Sequence, residues 1–153
     1  TIRDIVSTYI YPNTLKTLCV TRAQLKCALE RSAEYFAIDA DGKLKVSESF
    51  LAPIEQHFNY DYFSGIEAAF DIRRSVGDRV VSIKYKGEEL SGDKLLTLCM
   101  NNYRASGAGG YDIYRQCQTV RELPTEIAEL IIAYVDKHRN ITVDKHKWLN
   151  VIY

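Results

Sequence analysis

The sequence predicts an α+β domain, with mixed sheets flanked by helices, and three observations carry that prediction. Two capping boxes, Thr1-Ile2-Arg3-Asp4 and Thr21-Arg22-Ala23-Gln24, open helices. Val81, Ile83 and Tyr85 alternate with Ser82, Lys84 and Lys86, the period-two pattern of a half-buried strand closed by Lys86-Gly87. Helices and strands then follow one another irregularly, with hairpin turns between them. That order favours a mixed α+β domain over a doubly wound sheet.

In chain order, the first capping box predicts a short helix to about Thr8. Pro12 fixes its own backbone angle and pushes Tyr11 to an extended conformation, so the helix must have ended there. Residues 15–20 read as a strand. The second box begins a helix that sets Leu25, Ala28, Leu29, Ala33 and Phe36 on one face. Asp39-Ala40-Asp41-Gly42-Lys43 fails as a calcium loop: Lys43 holds the fifth ligand position and no bidentate Glu follows at the twelfth. It is expected to be a hairpin turn. Residues 51–64 read as an aromatic, irregular segment over the edge of the core, and residues 66–72 as a strand. Pro124 is expected near the start of a long helix with Ile127, Leu130, Ile131, Tyr134 and Val135 in one apolar stripe, ended by Asn140. Residues 148–152 read as a closing strand.

The most telling stretch is Leu95-Leu96-Thr97-Leu98-Cys99-Met100, which runs straight into Asn101-Asn102-Tyr103-Arg104-Ala105-Ser106-Gly107-Ala108-Gly109-Gly110-Tyr111. The apolar run is short and free of Pro and Gly, so a strand buried on both faces is expected. Where it emerges, the glycines permit backbone angles closed to other residues and let a ligand approach the main chain. Tyr103 supplies a flat, rigid face with a polar tip. A ligand site fits these residues, and so does a tight surface connection whose tyrosines merely pack.

Composition bounds the alternatives. The 153 residues form one domain large enough for a core, and 46% hydrophobic with 26% charged residues is ordinary for a globular protein. Twenty basic and 20 acidic residues cancel, which argues against a nucleic acid polymer or a membrane surface as partner. No apolar run approaches the roughly 20 residues of a membrane span. Cys19, Cys27, Cys99 and Cys117 lack C-x-x-C spacing and a nearby histidine cluster, so zinc is not expected. His57, His138 and His146 are far apart, and neither a G-x-S-x-G elbow nor a phosphate loop with its lysine is present. No catalytic centre and no metal-binding residues are expected within these 153 residues.

Two motifs together resemble the C-terminal domain of the 5′-nucleotidase family. They are Thr1-Ile2-Arg3-Asp4 with Tyr11-Pro12-Asn13-Thr14-Leu15, and Asn101-Asn102-Tyr103-Arg104-Ala105-Ser106-Gly107. Residues 83–98, with Gly87 and Asp93, are similar to the strand–turn–strand that precedes the second motif. The resemblance runs in order through the whole chain and is greatest to the bifunctional 2′,3′-cyclic-nucleotide 2′-phosphodiesterase/3′-nucleotidase branch.

The resemblance implies a division of labour. Residues 1–153 would be a single nucleobase-gripping domain, a piece of a longer chain that starts at Thr1 rather than Met. An N-terminal metallophosphatase domain would hold two divalent metals and the catalytic groups, and rotation between domains would carry substrate to them. Tyr11 and Tyr103 would sandwich the base of a nucleotide or nucleoside. Asn13 would hydrogen-bond it, and Arg104, Ser106, Gly107, Ala108 and Gly109 would line the same pocket. The parent would open 2′,3′-cyclic nucleotides to 3′-nucleotides and release phosphate and nucleoside, outside the cytoplasm: in the periplasm, in the cell wall or secreted. Gly109 stands where the 5′-nucleotidase branch has an acidic residue that contacts the base, and this favours the cyclic-phosphodiesterase branch. A 5′-nucleotidase, or a binding module without catalysis that captures nucleosides or a protein partner, are the alternatives.

Overall fold

A computed structural model describes residues 1–153. The chain opens with helix α1 (Ile2–Thr8), where Asp4 Oδ2 accepts from the Thr1 backbone amino group at 2.5 Å, the reciprocal bond of a capping box, and also from the Thr1 hydroxyl at 2.8 Å. Strand β1 (Thr14–Val20) and helix α2 (Arg22–Ala33) follow, and Thr21 Oγ1 accepts from Gln24 N at the start of α2. Strands β2 (Phe36–Ile38) and β3 (Leu44–Val46) pair across the turn at Asp39, whose carboxylate accepts from Asp41 N and Lys43 N. This is the expected hairpin.

After an irregular segment come β4 (Glu67–Asp71), β5 (Val80–Tyr85), β6 (Glu88–Glu89) and β7 (Leu96–Asn101). A four-residue helix, α3 (Asn102–Ala105), then leads through tight turns to β8 (Gln118–Glu126), helix α4 (Ile127–His138) and β9 (Leu149–Ile152). Besides the two-stranded β2-β3 sheet, a first sheet has the order β7-β1-β8 and is antiparallel. A second has the order β6-β5-β4-β9, with β9 parallel to β4. The mixture of helices with a parallel–antiparallel sheet is the α+β class the sequence predicts.

The core lies between these layers. Leu18 and Val20 of β1, Leu25, Ala28 and Leu29 of α2, and Phe70 and Ile83 of the second sheet are buried in one cluster. Two polar ties lock α2 to β5. The buried Glu30 carboxylate accepts from the backbone N–H groups of Arg79 and Val80 at 2.8 and 2.9 Å. Arg79 Nη1 in turn donates to the carbonyls of Ala33 and Phe36, satisfying the end of the helix.

Four expectations are corrected. Phe36 is not on the α2 face, because the helix ends at Ala33 and Phe36 begins β2. In β5 the alternation breaks: Val80 and Ile83 are buried, whereas Val81 is 41% exposed. A bulge causes this, since Ala69 pairs with Ser82 and Phe70 with Val80, leaving Val81 as the extra residue. Strand β7 is not buried on both faces. It is an edge strand with Thr97 and Cys99 exposed and Leu96, Leu98 and Met100 half-buried. Pro124 does not start a helix. It lies in β8, also an edge strand, at an irregularity where Thr14 pairs with Glu126 and Leu15 with Leu123. An edge strand at a bulge tolerates the missing N–H.

The bulge makes a prediction. Ile83→Ala should cost about 2–5 kcal/mol as a large-to-small core change, while Val81→Thr should stay within about 0.5 kcal/mol. Urea denaturation of the two variants checks this, and a larger loss at Val81 would restore simple alternation.

The last strand is tethered by Asp144, whose carboxylate accepts from His146 N at 2.9 Å and Trp148 Nε1 at 2.8 Å. These bonds favour the charged form and hold the Asp144 carboxyl below its ordinary value of 3.8. Because the folded value is depressed, this tether's contribution is present above 3.8 and is lost as pH falls through the folded value. An NMR titration should show the Trp148 indole N–H shifting with a midpoint below 3.8, and a midpoint at or above it would contradict the tether.

Candidate functional site

The antiparallel pairing of β1 and β7 brings the two sequence motifs together. Leu15 lies opposite Asn101, so the start of β1 sits beside the end of β7. Asn102 Oδ1 accepts from Thr14 N at 3.1 Å, stitching the second motif to the residue after Asn13. Asn13 is held on both sides: its N–H donates to Tyr11 O at 2.7 Å around Pro12, and its carbonyl accepts from Ile127 N at 2.8 Å. Tyr11 and Tyr103 are therefore delivered to one end of the β7-β1-β8 sheet.

Both rings are open. Tyr11 is 71% and Tyr103 44% exposed, and neither stacks on another aromatic ring of the chain. Tyr11 lines a groove of about 490 Å³ together with Val6, Ile10 and Ile132. A separate cavity of about 290 Å³ behind the second motif is lined by Tyr60, Asp61, Met100, Asn101, Arg104 and Tyr114. Tyr103 lines neither cavity, so the two tyrosines share a sheet end without enclosing a common pocket.

The loop after Tyr103 is built on α3. Asn101 caps that helix, its Oδ1 accepting from Arg104 N at 2.7 Å, and Ser106 Oγ donates to Tyr103 O at 2.7 Å. Gly107 and Gly109 both have positive φ, +86° and +75°. At Gly109 a Cβ would stand 2.1 Å from Arg104 Nη1 and 2.3 Å from Asn59 Oδ1, so only glycine fits. Ala108 contributes its carbonyl, which accepts from Arg104 Nη1.

Of the sequence-predicted residues, Tyr11, Tyr103 and Ser106 are exposed and Asn13, Ala108 and Gly109 half-exposed, while Arg104 is only 5% exposed. Its guanidinium points inward. Nε lies 2.7 Å from Asp61 Oδ2 as a close ion pair whose angle falls outside hydrogen-bond geometry, Nη2 donates to Phe58 O at 3.0 Å, and the plane sits 4.4 Å over the Tyr111 ring. Tyr111 and Tyr114 stack at 5.7 Å, both buried. Burial pushes the Asp61 carboxyl up, opposed by Arg104, and raises the Tyr60 hydroxyl to about 12.

Sequence reasoning assigned no role to Asn59 or Asp61, which lie some 40 residues before the motif they support. No local signal in the sequence points to them, because their links to Arg104 and Gly109 are made only in the fold. No group of three or more His, Cys, Asp or Glu side chains is gathered closely enough to hold a metal ion. His57 Nδ1 is bonded to Tyr35 Oη, His138 lies against Tyr134 and His146 pairs with Glu67, on separate segments. These residues do not fit a two-metal centre. No helix is long and apolar enough to cross a membrane.

Comparison with known proteins identifies the fold. The family model of the 5′-nucleotidase C-terminal domain matches residues 1–116. The chain is 22% identical over 152 residues to the trifunctional nucleotide phosphoesterase protein YfkN of Bacillus subtilis, covering 92% of this chain and 10% of that protein. It is 29% identical over 124 residues to a 2′,3′-cyclic-nucleotide 2′-phosphodiesterase/3′-nucleotidase of Haemophilus influenzae, covering 70% and 18%. Among solved structures, a candidate 5′-nucleotidase of Staphylococcus aureus in complex with α-ketoglutarate superposes with a TM-score of 0.92 at 37% identity, over all of this chain and 30% of that one. The Haemophilus influenzae NAD nucleotidase shares the fold, with a TM-score of 0.75 at 18% identity over 99% of this chain and 26% of that one. The chain thus spans less than a third of each of these proteins. With the family model matched over three quarters of its length, the chain belongs to the 5′-nucleotidase C-terminal domain family.

Proposed function

We propose that residues 1–153 form the base-gripping half of a nucleotide hydrolase that opens 2′,3′-cyclic nucleotides to 3′-nucleotides and then releases nucleoside and phosphate. One observation carries this reading. The Leu15–Asn101 register brings Tyr11 and Asn13 to the same sheet end as Tyr103 and the glycine loop. Two exposed rings at one sheet end, neither stacked on another aromatic ring, suit a planar base, which has two π-faces and stacks without strong base preference. Asn13 and the backbone of residues 104–109 would orient the base, with the Arg104 side chain supporting from beneath.

The phosphate chemistry would lie elsewhere in the same longer protein. Its N-terminal catalytic domain would hold the two divalent metals, and this domain would deliver substrate to it. The name of the Haemophilus relative supports the cyclic-phosphodiesterase branch, and that of the Bacillus relative supports nucleotide phosphoester hydrolysis. Export fits the Thermus thermophilus 5′-nucleotidase precursor, which shares the fold with a TM-score of 0.72 at 20% identity, over 99% of this chain and 28% of that one.

The test is a comparison of 2′,3′-cyclic AMP, 3′-AMP and 5′-AMP as substrates of the longer protein. Preference for the first two supports this reading. Preference for 5′-AMP would move the chain to the 5′-nucleotidase branch, which the Staphylococcus structure favours.

A further inference from the structure

Tyr103 has little local support. It sits on α3, a four-residue helix that cannot hold itself together, because a single helical turn does not repay its nucleation cost. Something beneath must fix it, and a chain of contacts leads from α2 to the loop. Ser32 Oγ on α2 is 2.7 Å from Tyr111 Oη, and that hydroxyl accepts from Asp61 N at 3.1 Å. Asp61 is thereby pinned by its backbone, and its carboxylate meets Arg104 Nε at 2.7 Å. Arg104 then reaches the carbonyls of Ala108 and Phe58. Asn59, 5% exposed, closes the arrangement: Nδ2 donates to Gln56 Oε1 at 2.8 Å, and the unpartnered Oδ1 abuts Gly109.

We propose that Asp61 is a positioning residue for nucleobase binding: half-buried itself, it pairs with the buried Arg104 guanidinium and so sets the pose of Tyr103 and of the glycine loop, residues 107–110. This rests on the base-clamp reading above for its link to ligand. Only the Arg104 side of this pair is buried, so removing the Asp61 carboxylate strands the Arg104 charge in the interior. A stranded Arg104 would seek water and pull its two carbonyl contacts with it. The loop and α3 would then sample several poses, and ordering them again would be charged against each binding event.

Amide hydrogen exchange and adenosine affinity of the 153-residue chain, both measured well below its melting temperature, test this. Asp61→Asn keeps the side-chain volume and removes the charge. It should speed exchange across residues 106–110 about tenfold or more with β1 and β4 unchanged, and weaken adenosine binding about tenfold per folded molecule. Tyr111→Phe, which keeps the ring and removes only the hydroxyl that holds Asp61 N, should shift both readouts the same way. It decides the matter if Asp61→Asn does not fold. Unchanged loop exchange in the folded variant would overturn the proposal, as would unchanged affinity where Tyr103→Ala loses binding. A wild-type chain that does not bind adenosine would sink the base clamp instead, and loop exchange would still decide whether Asp61 sets the loop.

Discussion

Gly109→Ala should be among the most damaging single substitutions in this chain. The backbone there has φ +75°, and holding a residue with a side chain in so sparsely populated a conformation costs about 1–3 kcal/mol. The new Cβ would also meet Arg104 Nη1 at 2.1 Å and Asn59 Oδ1 at 2.3 Å. Neither can swing aside cheaply, since Arg104 is buried and tied to Asp61 and Phe58 O. Overpacking of this kind adds about 1–3 kcal/mol. The combined loss, about 2–6 kcal/mol from the two ranges, is a large share of the roughly 5–15 kcal/mol that holds a domain folded. Gly107→Ala should be milder, because its clash is with Arg115, whose side chain is 65% exposed and held only by surface contacts with Ser106 O and Asp112. Gly42→Ala, with nothing within 4 Å, isolates the backbone cost. Urea midpoints in the order Gly109 lowest, then Gly107, then Gly42 are the expected result. Equal midpoints would contradict the packing described beneath the loop.

Removing either ring of the clamp should separate binding from stability. Tyr11→Ala and Tyr103→Ala should each weaken adenosine or 3′-AMP binding by about 1–3 kcal/mol, the usual worth of one base–aromatic stack. That is about five- to 150-fold in affinity. Tyr11 is exposed and stacks on no other ring, so its loss should leave the unfolding midpoint within about 0.5 kcal/mol of wild type. In the longer protein both variants should raise KM, since uniform binding is what they remove. Weakened binding with an equal fall in stability would instead mark the tyrosines as packing residues.

Local rules located most of the elements. Capping boxes placed α1 and α2, and the Asp39 turn closed its hairpin, because those signals act within a few residues. What sequence reasoning missed depends on pairing. The bulge at Val81 follows from which strands are neighbours, and the exposure of Thr97 and Cys99 from one sheet face being left open, neither of which an apolar run reveals. Pro124 illustrates the same gap, since proline near a helix start and proline at an irregular edge strand look alike locally. At the site, the exposed rings stood in recognisable motifs. The support beneath them did not, because Ser32, Asp61, Arg104 and Tyr111 come from distant segments and meet only in the fold.

The central claim is that Tyr11 and Tyr103, with the glycine loop, take up a nucleobase. An NMR titration of the 153-residue chain with adenosine and with 3′-AMP, to millimolar concentration, tests it most directly. Saturable shifts centred on Tyr11, Asn13, Tyr103 and residues 104–109, with affinity weakened about five- to 150-fold in each alanine variant, are the predicted result. Saturable shifts that centre elsewhere and survive in both variants, or no saturable shifts at all, would contradict it.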